Sequence, residues 1–301
     1  MPKGFSDPSR PIRLLKLIAI VGTLALTLLV LSYRLIIHSI PPKAPAHFLT
    51  MDPNATDYWP CFSPDGKTIL FSRTRDDGKT WELFVVPSSG GEARPFTHLR
   101  LPVSAIEANW SRHNNLIAFI GTPEDQGGKN GVWLINADGS EPRQLSYIGL
   151  SGSVAYPSWY PDGESLAVVD VADDVIKRID RQHGAAATVT KQKQILAGMP
   201  SVSPDGQWIA FAGQTNFGQK YNEGRNSIWL LSNTGELRRL EAPPNQGRTT
   251  AWSPDGQWLA LESDREDREG PNDLYAVFII NRDGTGLRRV TPYGWDANHP
   301  A

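Results

Sequence analysis

Cysteine is almost missing from this chain. Cys61 stands alone, which excludes an internal disulfide and a thiolate-ligated metal cluster. An excess of charge of either sign is missing too: 30 lysines and arginines face 32 aspartates and glutamates, so no global field recruits nucleic acid. Histidine is sparse and dispersed. His38, His47, His98, His113, His183 and His299 make no close pair and no H-E-x-x-H, and they read as exposed loop residues. The G-x-S-x-G elbow of a serine hydrolase is absent. Its nearest likeness, Gly149-Leu150-Ser151-Gly152-Ser153, falls in a loop with no α/β domain after it. The acidic strings Asp162-Gly163-Glu164 and Asp170, Asp173 and Asp174 miss the twelve-residue spacing of a calcium loop. No metal and no cofactor are expected.

Long apolar runs are missing as well, with one exception. Between Leu14 and Tyr33 only Lys16 is charged, and about 20 such residues span the ~30 Å hydrocarbon layer as a helix. Lys16 lies near the end of the run, where its ammonium can snorkel. Lys3, Arg10 and Arg13 precede the run against Asp7 alone, and a basic flank stays in the cytoplasm. The expectation is a cytoplasmic stub over 1–13, a transmembrane signal-anchor helix over 14–40, and a proline-rich spacer over 41–46. A propeller over 47–301 then follows outside the inner membrane. The alternative is a signal peptide cleaved after Ala44-Pro45-Ala46, which leaves a periplasmic or secreted product.

What is abundant is glycine (27), proline (24) and tryptophan (10), the composition of many short strands joined by tight turns. The class expected is all-β. Five segments align without gaps: CFSPDGKTILFS (61–72), NWSRHNNLIAFI (109–120), SWYPDGESLAVV (158–169), SVSPDGQWIAFA (201–212) and AWSPDGQWLALE (251–262). Their spacing is that of a four-stranded propeller blade. In each, a strand enters Pro-Asp-Gly, where Pro fixes φ, Asp closes the turn and Gly takes the positive φ. An apolar second strand, a third strand, a second polar turn and a short polar fourth strand complete the unit.

These motifs resemble the β-propeller repeats of the TolB family, from about residue 46 to 301, and Trp252-Ser253-Pro254-Asp255-Gly256 matches the family pattern best. Two blades depart from it. Blade two carries Ser111-Arg112-His113-Asn114 at the turn, and blade three carries DDVIKRIDRQHG after Val171, so both are expected to be looser or specialised. The resemblance implies a six-bladed ring, of which five blades are recognisable here. Residues 47–50 read as a strand of a sixth blade, and Ala301 aligns with Ala251, just short of another turn. Either the ring is a truncated six-blade propeller, or five blades close directly with Trp295 to Ala301 at the seam.

The resemblance implies a non-catalytic, membrane-tethered module that binds an extracytoplasmic protein or cell-envelope component. The alternative is a propeller-type hydrolase or lyase acting on envelope peptide or polysaccharide. Asp65, Asp162, Asp205 and Asp255 tempt as its acids, but each sits in the same hairpin turn of a different blade. Trp59, Trp110, Trp159 and Trp252 read as packing beside the central channel. Long loops cluster on the face away from the Pro-Asp-Gly turns, and there Arg75, Asp76, Asp77, Lys220, Tyr221, Arg265, Glu266, Asp267 and Arg268 are the partner-binding candidates.

Overall fold

The computed structural model describes residues 48–50, 52–75, 78–97, 101–123, 130–145, 154–190, 195–215, 226–240, 247–263, 275–292 and 296–301. Within them no helix is long and apolar enough to cross a membrane, and the 14–33 run lies outside the described residues.

Five antiparallel four-stranded sheets follow one another along the chain. Blade one holds β1 (Asp57–Phe62), β2 (Thr68–Thr74), β3 (Trp81–Pro87) and β4 (Arg94–Pro95). Blade two holds β5 (Val103–Trp110), β6 (Leu116–Pro123), β7 (Gly131–Asn136) and β8 (Arg143–Gln144). Blade three holds β9 (Val154–Trp159), β10 (Ser165–Asp170), β11 (Val175–Asp180) and β12 (Ala186–Thr188). Blade four holds β13 (Leu196–Val202), β14 (Trp208–Gln214), β15 (Ser227–Ser232) and β16 (Leu237–Arg239), and blade five β17 (Gly247–Trp252), β18 (Trp258–Ser263), β19 (Ala276–Asn281) and β20 (Arg288–Arg289).

Local chemistry explains the first hairpin of each blade. The Ser63 hydroxyl donates to Asp65 Oδ1 (2.7 Å) and accepts from the Thr68 amide (3.0 Å), while Gly66 at φ 70° returns its amide to the Ser63 carbonyl. The same net recurs at Ser203–Trp208 and Ser253–Trp258. The recurrent aspartates are therefore occupied in turns, and the serine hydroxyls hold the Asp65 and Asp255 carboxyls below their ordinary range. After each turn, β2, β6, β10, β14 and β18 run between neighbouring sheets. Leu70, Leu83 and Val85 of blade one pack on Val103, Ile117 and Phe119 of blade two. Phe278 and Leu261 of blade five pack on Leu230 and Ile228 of blade four. Full burial of such a side chain contributes about 1.5–3 kcal/mol.

The two unusual blades are as regular as the rest. VIKRID is β11, in register with β10 over six residue pairs. Lys177 reaches the fully buried Asp170 at 3.0 Å, and Arg178 lies 4.0 Å over the Tyr160 ring, so the charged residues that weaken the sequence signal are paired or stacked. At the turn of blade two, the Asn114 side-chain amide donates to the Gly163 carbonyl of blade three (2.7 Å). Residues 48–50, expected to be a strand, form none. Leu49 instead packs against the apolar flank of blade one beside Ile69, Phe71 and Val86.

Neighbouring inner strands pack in the order β1, β5, β9, β13, β17, and no comparable packing joins β17 to β1. Residues 296–301 lie between them. The Ala297 amide donates to the Tyr275 carbonyl (2.8 Å) and the His299 amide to Glu262 Oε2 (2.7 Å), while the His299 ring meets those of Tyr58 and Trp59 at 5.5 and 5.6 Å. The five sheets thus do not close on one another directly. A sixth inner position exists, and 296–301 fill it.

Candidate functional site

Every inner strand is bulged at the same place, four residues before the Ser or Tyr that opens its turn. Register shifts fall between Tyr58 and Cys61, Ile106 and Asn109, Gly198 and Ser201, and Gly247 and Thr250, and in blade three between Ala155 and Ser158 of β9, which face Val169 and Ala167 of β10. Trp59, Glu107, Tyr156, Met199 and His299 take φ between 51° and 55°, a region uncommon for residues with a Cβ. A bulge breaks strict alternation and re-aims side chains. Here it sets Trp59, Glu107, Tyr156, Met199, Thr249 and His299 around the axis. Neighbours in that ring touch: Glu107 Oε2 accepts the Tyr156 amide (2.6 Å), and Thr249 Oγ1 lies 3.8 Å from Met199 Sδ and 3.4 Å from His299 Nδ1.

All of these but Met199 line a channel cavity of about 460 Å³ that extends to the turns at Pro161 and Pro204. Trp110, Trp159 and Trp252 add aromatic wall above the ring. Their indoles also staple blades together. Trp159 Nε1 donates to the Asn109 carbonyl (3.1 Å) and Trp252 Nε1 to the Ser201 carbonyl (2.9 Å), each in the preceding blade. Trp159 and Trp252 are buried, whereas Trp59 and Trp110 keep partial exposure. The expectation of packing beside the channel holds, and the exposed part of those rings is also its wall.

The electrostatics of the cavity are uneven. Glu107 is the one acidic side chain in the lining, and burial pushes it up to about 7 against the pull of the Tyr156 amide. His299, expected to be an exposed loop residue, has a side chain only 14% exposed, and burial together with the Arg248 guanidinium holds it down to about 4. Arg248 in turn faces Glu262 (Nε–Oε1 3.3 Å) and covers the Tyr275 ring (4.8 Å). Cys61 keeps part of its surface open to the channel, yet burial pushes its thiol up to about 12, so it is no nucleophile at neutral pH. Arg112 and His113, both exposed, sit at the turn end of the cavity. Among the described residues no three His, Cys, Asp or Glu side chains cluster to hold a metal ion.

Of the loop candidates, Arg75 alone is described. It sits between β2 and β3 with its guanidinium on Glu82 (2.8 Å) and its backbone closing the turn through Thr80 and Gly78. Asp76, Asp77, Lys220, Tyr221, Arg265, Glu266, Asp267 and Arg268 lie outside the described residues. Sequence reasoning missed Glu107 and His299, although the repeat alignment placed Glu107 four residues before Ser111 and His299 level with Thr249.

Comparison with known proteins gives the fold a lineage. The family model described as the TolB beta propeller domain matches residues 52–221. The uncharacterized peptidase YuxL of Bacillus subtilis is 22% identical over 225 residues, covering 72% of this chain and 31% of that protein. The uncharacterized protein YidR of Escherichia coli is 33% identical over 126 residues, covering 38% of this chain and 28% of its own length. The aligned regions thus cover about a third of the length of these curated relatives. Among solved structures, the putative TolB from Agrobacterium tumefaciens superposes with a TM-score of 0.64 at 22% identity, covering 81% of this chain and 83% of that one. With more than half of its residues under the family model and five successive blades built on one bulged, Pro-Asp-Gly-turned repeat, the chain belongs to the TolB β-propeller domain family.

Proposed function

We propose that this chain is a membrane-tethered, extracytoplasmic binding module, non-catalytic, which receives an extended segment of a protein or other cell-envelope component in its central channel. The observation that carries this reading is the cavity of about 460 Å³ on the ring axis, walled by Trp59, Trp110, Tyr156, Trp159 and Trp252 and open toward the Pro-Asp-Gly turns. Concave, mostly apolar pockets with few convergent polar groups are where ligands bind. The non-catalytic reading is supported by the four recurrent aspartates, Asp65, Asp162, Asp205 and Asp255, each of which accepts a backbone amide inside its own turn. The apolar run over 14–33 with its basic flank supports the tether and the side of the membrane.

The test is site-specific photocrosslinking in the full chain, with p-benzoylphenylalanine placed at Phe62, at the channel, or at Val171, on the turn between β10 and β11 at the opposite face. Both positions are 47% exposed. Adducts with an envelope component from Phe62 and none from Val171 are expected. Adducts from Val171 alone move the site to the loop face, and none from either position refutes the binding reading. A second reading, a hydrolase or lyase acting on envelope peptide or polysaccharide, is favoured by one observation: a buried carboxyl at about 7 suits a general acid or base. Turnover of such substrates that Glu107→Gln abolishes would establish it.

A further inference from the structure

We propose that Glu107 makes the channel selective for a primary ammonium, carried by a lysine side chain or by the N-terminus of a polypeptide. The inference rests on the channel being the binding site. Glu107 is about nine-tenths buried in the lining, and its only described partner is the Tyr156 amide on Oε2. A buried carboxylate without a counter-charge is costly, and its opposite charge is what a ligand can bring. The cationic groups described in or beside the lining are engaged elsewhere or stand at its turn end. Arg248 is on Glu262, Arg112 and His113 stand exposed at the turn end, and His299 closes the ring against Thr249, Trp59 and Tyr58.

The chemistry of the site narrows the cation. A hard divalent ion needs six or more oxygens, whereas this lining offers one acidic side chain and no metal cluster among the described residues. A guanidinium binds best when both carboxylate oxygens accept in parallel, and here Oε2 must share its lone pairs with the Tyr156 amide, which restricts that geometry. A compact ammonium needs only Oε1, and Trp59, Tyr156 and Trp110, aromatic rings of the kind that attract cations, line the same cavity. Glu107 lies four residues below Ser111, about 10 Å into the channel at ~3.3 Å per residue less the bulge. The ligand's backbone must therefore enter the mouth.

The experiment titrates the full chain with four peptides and follows tryptophan fluorescence. The first pair is acetyl-Gly-Gly-Lys-Gly-Gly-amide and its Nε-acetyllysine form; the second is Gly-Gly-Gly-Gly-amide and its N-acetyl form. Wild type is expected to bind at least one charged peptide about tenfold or more tightly than its neutral partner. Whichever pair shows the gap identifies lysine or N-terminus as the source. In Glu107→Gln, which keeps an acceptor for the Tyr156 amide, the gap should shrink to within about twofold. Equal binding of charged and neutral peptides, or a gap that persists in Glu107→Gln, overturns the assignment and leaves the channel reading standing. Binding of none of the four overturns both.

Discussion

Replacing Glu107 by Gln should stabilise the protein in a way that grows with pH. In the folded chain this carboxyl titrates at about 7 instead of 4.5, chiefly because burial disfavours its charged form. Between those values the folded state keeps a proton that the unfolded state has lost, so stability falls as pH rises through that window. At about 1.4 kcal/mol per unit, the charged form costs about 3 kcal/mol by pH 8. Glutamine has nearly the same volume, can still accept the Tyr156 amide, and carries no charge. The variant should match wild type near pH 4 and exceed it by about 3 kcal/mol at pH 8, or roughly 6–10 °C in Tm. His299 works with the opposite sign. Held at about 4 against 6.5, it contributes stability above pH 6.5 that is lost as pH falls toward 4. The two slopes offset each other in wild type between about 4.5 and 6.5, so the profile there should be nearly flat, and Glu107→Gln should expose the histidine slope alone. The assay is urea unfolding of the full chain in mild detergent from pH 4 to 8, followed by tryptophan fluorescence. A wild-type-to-variant difference that stays constant with pH, or a variant less stable at pH 8, would refute the reasoning.

Other perturbations test the scaffold. Lys177→Met removes the ammonium 3.0 Å from the fully buried Asp170 carboxylate and should cost about 3–5 kcal/mol in urea unfolding, much of it recovered when Asp170→Leu is added. Two glycines separate backbone strain from crowding. At Gly66 a Cβ meets nothing within 4 Å, so Gly66→Ala should cost only about 1 kcal/mol for its φ of 70°. At Gly213 a Cβ would stand 2.6 Å from both Ile195 Cδ1 and Trp229 Cδ1, and Gly213→Ala should cost about 1–3 kcal/mol with a larger fall in Tm. Trp252→Phe removes the indole donor to the Ser201 carbonyl while keeping an aromatic ring, and should cost about 1 kcal/mol by the same assay. Cys61 should resist iodoacetamide at pH 8 in the folded protein and react at once in urea, because its thiol is held at about 12.

The amino-acid sequence by itself determined the class, the blade count among recognisable repeats, and the turns. Those follow from local chemistry: Pro-Asp-Gly closes a hairpin whatever surrounds it, as the matching nets at Ser63, Ser203 and Ser253 show. It misjudged blade three, because Lys177 and Arg178 read as strand-breaking polarity until Asp170 and Tyr160 are seen beside them. Only the tertiary structure decided the seam and the site. Trp59, Glu107, Tyr156, Met199, Thr249 and His299 are scattered along most of the chain, five of them each one unremarkable residue of an inner strand and His299 one of the segment 296–301. They become a ring because a bulge recurs in register, left-handed at every position but Thr249, and the sheets turn about one axis. Charge on Glu107 and neutrality of His299 then depend on burial, which no local pattern encodes: it is set by what other segments of the chain bring around them.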